Sequence, residues 1–193
     1  MSNIGSYEDR KKNFTWQISK DELEYKDGAP LNIAYYCSDR NCERGLGNKI
    51  AMYWEDFSGN KAQFTYDDVR RYSNGYATLL KNLGVKPGDR VCVYMDRIPD
   101  LYIGFLGILK NGSIVMPLFS AFREDSLLTR CEDAQPTAIL TTEKLVKHFR
   151  KIKDRLPNLK YVIVATENEN AKLAEGETTF CMTKHGEESF PIA

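Results

Sequence analysis

Two stretches of the chain are apolar at consecutive positions, Val91 to Met95 and Ile114 to Leu118. A half-exposed strand alternates apolar and polar residues, and neither stretch does. Both therefore predict strands covered on two faces, as in a parallel sheet with helices packed on each side. The segment between them fits the crossover helix of a strand–helix–strand unit. Pro99 stands where a first-turn proline is tolerated, and Asn111–Gly112 supplies the stop.

The same pattern extends in both directions. KIAMYWED and KAQFTY flank the turn-forming FSGN and predict a β-hairpin. Thr65 is placed to cap the next helix, with Asp68 at the capping-box position. Val69, Tyr72, Tyr76, Leu79, Leu80 and Leu83 repeat at helical spacing up to Gly84. Beyond the first pair of strands the spacing predicts a helix over 124–133, a strand over 137–141, a helix over 142–156 and a strand over 160–165. One short strand is expected at TTFCMT. Asn32 is placed to cap IAYYCSDRN, with Ile33, Tyr36 and Cys37 on one face. The fold class is α/β: a doubly wound parallel sheet with flanking helices, preceded by a β-hairpin. Residues 1–45, polar and studded with aromatics, predict an extension that packs on the domain formed by 46–193.

Composition narrows the function. Lys and Arg together number 27, as do Asp and Glu, so no global field favours nucleic acid or an anionic membrane. The apolar run from Leu101 to Leu118 is interrupted by Lys110, Asn111 and Gly112, too early to span a bilayer. The N-terminus lacks the apolar centre of a signal peptide. Five cysteines without a CxxC pair fit reduced thiols in the cytoplasm, and two histidines without metal-ligand spacing give no reason to expect a metal.

No G-x-G-x-x-G, G-x-x-x-x-G-K-[ST] or G-x-S-x-G motif occurs, so no catalytic constellation is visible. Two local features remain. Phe119 to Phe122 follow the strand ending at Leu118, where parallel sheets bind ligands; core packing is the plainer reading of the two rings. The stretch EKLVKHFRKIKDRL predicts a buried stripe of Leu145, Phe149, Ile152 and Leu156. Lys144, Lys147, Arg150 and Lys151 then lie opposite, as a solvated basic face or a phosphate-binding surface.

LNIAYYCSDRN, TYDDVRRYSNGYATLLKNLGVKPGDRV and RIPDLYIGFLGILKNGSIVMPLFSAF together resemble the AMP-forming acyl-CoA synthetases of the adenylate-forming superfamily, most closely the acetyl-CoA synthetase branch. The resemblance runs from about Trp16 to Val164. It implies that the parent enzyme uses ATP and Mg²⁺ to turn a small carboxylate into an acyl-adenylate, then passes the acyl group to CoA. The family's Ser/Thr/Gly-rich phosphate loop would follow the last residues seen here. The expectation is thus a first part of the large N-terminal domain, cut before that loop, inactive and without bound cofactor. Its partners would be the rest of the synthetase chain and, through strand 160–165 or the tail at the truncated face, a second copy.

The family's Phe-Gly-Gly turn and two following basic residues contact the adenine and 3′-phosphate of CoA. The resemblance places Phe119, Ser120 and Ala121 at the first, and Lys147 and Arg150 at the second. Ser120 and Ala121 stand in place of glycines, and Lys147 replaces an arginine, which keeps the charge but loses the fork. Two other readings stay open: a non-catalytic interaction or regulatory module on the same fold, and another adenylate-forming enzyme.

Overall fold

The computed structural model describes residues 5–29 and 31–192. It divides into two compact units, Met1–Leu31 and Asn32–Ala193. Asn32 and Asp39 are tied to the second unit through Leu109 O and Lys110. In the first unit, helices α1 (Tyr7–Asn13) and α2 (Trp16–Leu23) are capped by the side chains of Ser6 and Thr15. An Arg10–Glu22 pair at 3.1 Å links them.

The second unit opens with α3 (Ile33–Cys37) and the single turn α4 (Asp39–Asn41). Asn32 does cap α3, accepting from the Ala34 N–H. The expected buried face is wrong, however: Ala34 and Ser38 are buried, whereas Ile33 is 62% exposed. The helix stops at Cys37, so burial follows an i, i+4 pair and not the longer register. Strands β1 (Ile50–Glu55) and β2 (Lys61–Thr65) form the hairpin. Helix α5 (Tyr66–Asn82) begins at a complete capping box between Thr65 and Asp68.

From there strands and helices alternate: β3 (Arg90–Tyr94), α6 (Pro99–Lys110), β4 (Ile114–Leu118), α7 (Glu124–Ala134), β5 (Ala138–Thr142), α8 (Val146–Arg150), β6 (Tyr161–Ala165) and β7 (Glu177–Phe180). The five strands from β3 onward pair in parallel in the order β4-β3-β5-β6-β7. Val91 and Val93 point into a core with Tyr76, Leu80 and Ile103 of α5 and α6. Cys92 and Tyr94 point the other way, among Leu127, Cys131 and Phe149 of α7 and α8. Two covered faces explain why β3 does not alternate after Arg90: Val91 to Tyr94 are all buried. Among the described residues no helix is long and apolar enough to cross a membrane.

Three expectations need correcting. Strand β4 is an edge strand, with Ile114 52% exposed; Pro117, which has no N–H for a second ladder, fits an edge position. The predicted helix over 142–156 is helical only from Val146 to Arg150, and Lys153–Arg155 form a 3₁₀ turn. Bonds from Ile152 N to Phe149 O and from Leu156 N to Lys153 O tighten this stretch, while the stripe of Leu145, Phe149, Ile152 and Leu156 stays buried. Finally, strand 160–165 is no free edge. Strand β7, from the chain's own tail, pairs along it from Val162 to Ala165, which removes the unpaired backbone that self-association there would use.

The closest contact between helices is α5 against α6. A methyl group on Gly107 would lie 2.4 Å from Tyr76 Cβ and 2.7 Å from Ser73 O, and one on Gly104 would lie 2.5 Å from Leu140 Cδ2. One turn further on, Lys110 is fully buried. Its ammonium donates to Asp39 Oδ2 at 2.6 Å, Asn74 Oδ1 at 2.7 Å and Arg70 O at 3.3 Å. Three protons meet three acceptors, which is what makes a buried lysine tolerable. Burial pulls its pKa down while Asp39 pushes it up, and burial is the larger effect.

Two predictions follow from this packing. Gly107→Ala should gain about 1 kcal/mol of helix propensity, yet overpacking against Tyr76 and Ser73 typically costs about 1–3 kcal/mol. Net destabilisation is expected, measured as a lower urea midpoint. On the other face, Glu124 of α7 accepts from Lys151 at 2.5 Å and meets His148 Nδ1 at 3.2 Å. Lys151 foremost, then the backbone and His148, hold the Glu124 carboxyl at about 2, against an ordinary 4.5. A depressed carboxylate contributes stability above its unfolded pKa and loses it as pH falls through the folded value. Glu124→Gln should therefore flatten the acid limb of the stability curve between about pH 4.5 and 2, as read by denaturant midpoints.

Candidate functional site

Strand β3 is the first strand of the parallel sheet, and the chain passes from it to β4 on one side and then to β5 on the other. The carboxyl ends of β3 and β5 therefore form a topological switch point, where open α/β sheets bind ligands. Buried Thr141 of β5 donates to Tyr94 O at 2.7 Å and knits the two strands together there. Just beyond, Lys144 donates to Asp96 at 2.8 Å across the crevice mouth. Lys144, then the Ser120 hydroxyl, lowers the Asp96 pKa. Glu143 receives Thr166 and Asn168 from the loop after β6.

The turn after β4 closes through Phe122 N donating to Phe119 O at 2.9 Å. Phe119 is 60% exposed, its ring edge-on to Phe122 at 5.8 Å. Phe122 in turn lies under the Arg130 guanidinium at 4.2 Å. The exposed ring thus belongs to Phe119 alone, and Phe122 supports it. Ser120 is half-buried and Ala121 exposed. Beneath them the Tyr94 hydroxyl contacts Phe122 O at 2.8 Å and Ser120 O at 3.2 Å. Burial pushes this phenol up, so it remains a donor.

The second predicted set lies on α8, which rests on the same tyrosine: the Tyr94 ring is edge-on to Phe149 at 5.4 Å and to His148 at 6.4 Å. Tyr94 therefore touches both the 119–122 turn and the helix that carries Lys147 and Arg150. Lys147 is exposed and, among the described residues, has no ion-pair partner; Lys144, Arg150 and Lys151 each have one. Arg150 turns toward β7, gripping Glu177 through Nε at 2.8 Å and Nη2 at 2.7 Å. Nη2 also donates to Lys172 O at 3.0 Å, and among the described residues Nη1 has no hydrogen-bond partner. Glu177, only 2% exposed at its side chain, holds the guanidinium in place.

Sequence reasoning missed Asp96, Tyr94 and Glu177 as parts of this region. Asp96 could have been found as the first charge after a buried strand end; nothing local marks Glu177. Among the described residues no cluster of three His, Cys, Asp or Glu side chains could hold a metal ion.

The model of the AMP-binding enzyme family matches residues 39–187. The chain is 34% identical over 163 residues to acetyl-coenzyme A synthetase of Bacillus subtilis, covering 84% of this chain and 28% of that protein. It is also 34% identical over 151 residues to the chloroplastic/glyoxysomal acetyl-coenzyme A synthetase of Arabidopsis thaliana, covering 78% of this chain and 20% of that protein. The chain thus spans about a quarter of the length of these relatives. In fold it is similar to an acyl-CoA synthetase of Brucella canis, with a TM-score of 0.82 at 21% identity, over 97% of this chain and 33% of that one. On a family match that takes in the whole parallel sheet, this chain belongs to the AMP-binding enzymes.

Proposed function

We propose that the chain is the CoA-facing first part of an AMP-forming acetyl- or short-chain acyl-CoA ligase. The observation that carries this reading is the exposed Phe119 ring at the carboxyl end of β4, in a chain of this family. An aromatic face open to solvent can stack on a nucleotide base. Lys147 then offers an uncommitted cation and Arg150 an uncommitted Nη1 edge for a phosphate dianion. Tyr94 keeps the ring-bearing turn and the basic helix in fixed relation.

In the whole enzyme, ATP and a small carboxylate would give an acyl-adenylate and pyrophosphate, and the CoA thiol would then take the acyl group with release of AMP. Within these 193 residues no phosphate loop occurs, so ATP and Mg²⁺ are held outside them. The residues here bind and orient CoA, while positioned charge elsewhere stabilises the transferring groups. The chain alone is accordingly inactive, and cytoplasmic in setting.

Lys147 gives a cleaner test than Arg150, whose removal would also strip buried Glu177 of its partner. A hydrogen bond to a charged group contributes ~1.5–3 kcal/mol. At an exposed position the lower end applies, roughly tenfold in affinity. In the whole enzyme, Lys147→Ala should raise KM for CoA about that much and leave acyl-dependent ATP–pyrophosphate exchange intact. It should also lose most of the wild-type preference for CoA over dephospho-CoA. An unchanged preference would make the basic face a solvated surface only.

A further inference from the structure

Behind the switch point two thiols meet inside the core. Cys92 of β3 and Cys131 of α7 are both fully buried, and their sulfurs lie 4.0 Å apart. Met116 Sδ sits 3.5 Å from Cys92 Sγ on the other side. Neither thiol is explained by the proposed ligase reaction. The two differ in one respect: Cys131 also lines a cavity of about 120 Å³ at the end of α7, bounded by Gln135, Pro136, Pro157 and Leu159. The rim carries surface pairs, Arg155–Glu132 at 2.9 Å and Asn158–Gln135 at 2.7 Å. Exposed pairs of this kind hold weakly. Neither sulfur is exposed, but opening of those pairs would bring a small solute nearer to Cys131 than to Cys92.

The cavity matters for a second reason. A disulfide needs its sulfurs about 2.05 Å apart, so bonding these two requires the sulfurs to close by about 2 Å, through side-chain rotation together with a shift of α7 toward β3. Packed interiors have little slack for such a shift. The void beside Cys131 leaves the end of α7 less tightly packed on its other side, at the helix end that would move.

We propose that Cys92 and Cys131 form an oxidisable dithiol, converted to a disulfide by a small hydroperoxide that enters through the cavity beside Cys131. In the first step the Cys131 sulfur attacks the peroxide. It forms a sulfur–oxygen bond as the oxygen–oxygen bond breaks, and the thiol proton leaves with the departing water or alcohol. In the second step the Cys92 sulfur displaces hydroxide from the Cys131 sulfenic acid, and its own proton completes the water. Two thiols lose two electrons and two protons, and one peroxide is reduced to water plus water or alcohol. Electrostatics matches this order. Either sulfur can donate to the other; the contact with Cys131 and burial push the Cys92 thiol up, while at Cys131 the contact with Cys92 lowers the thiol pKa and burial opposes it. The product would bolt α7 to β3 and draw on the Phe119–Arg123 turn that leads into it.

The test uses the folded 193-residue chain exposed to hydrogen peroxide, then denatured, alkylated and mapped as peptides. A Cys37→Ser/Cys42→Ser background removes the two more accessible thiols, which could otherwise exchange. The expected result is a peptide linking Cys92 to Cys131, two hydrogens lighter than the separate peptides, released by reductant and lost in Cys131→Ser. The unsubstituted chain should give the same linked peptide, so the result does not depend on the variants folding. Complete alkylation of both Cys92 and Cys131 after such treatment, or a link that forms only in denaturant, would overturn the proposal.

Discussion

The close approach of α5 to α6 is the constraint on which the rest of the structure depends. Gly104 and Gly107 leave no room for a side chain against Tyr76, Ser73 and Leu140, so the two helices meet almost backbone to backbone. That proximity brings Lys110 beneath Asn74 and the Arg70 carbonyl, and there the lysine can exist only by capturing Asp39. Asp39 belongs to the segment before the hairpin, so one glycine-mediated contact fixes three parts of the chain that are far apart in sequence. Removing either charged partner would leave the other buried, which is far more costly than losing a surface pair.

From that layer the site follows by connection. Helix α6 joins β3 to β4, and its position sets where the two carboxyl ends emerge. On the opposite face Cys92 and Tyr94 of β3 meet α7 and α8, so one strand connects the rigid layer to the crevice. Tyr94 is the point of transfer: its carbonyl receives Thr141, its hydroxyl holds the 119–122 turn, and its ring supports α8. Arg150 is held from the far side by Glu177 through Nε and Nη2, which leaves one edge of its guanidinium, and not the whole fork, for the proposed phosphate contact.

Most of the fold was legible because its signals are local. The Thr65–Asp68 capping box, the Pro99 helix start and the consecutive apolar positions of β3 each state their structure within a few residues. Strand β4 misled because an edge strand and a central strand can carry the same apolar run, and only Pro117 hinted at the difference. The 142–156 stretch misled because spacings of four, three and four bury the same stripe in an α-helix or in a broken one. Lys110 at a helix end reads as a solvated cation favoured by the dipole, and nothing nearby announces Asp39, 71 positions earlier. At the site, Phe119, Ser120, Ala121, Lys147 and Arg150 came from family resemblance. Their supports Tyr94, Asp96 and Glu177 depend on contacts across the sheet that no periodicity records.

The proposed CoA-binding crevice lies at the carboxyl ends of β3, β4 and β5 and is held together by Tyr94. A crystal structure of the whole enzyme with CoA tests it most directly. The adenine should lie against the Phe119 ring, with the 3′-phosphate in contact with Lys147 and Arg150 still gripped by Glu177. A nucleotide bound elsewhere, with Phe119 and Lys147 left in solvent, would contradict the account.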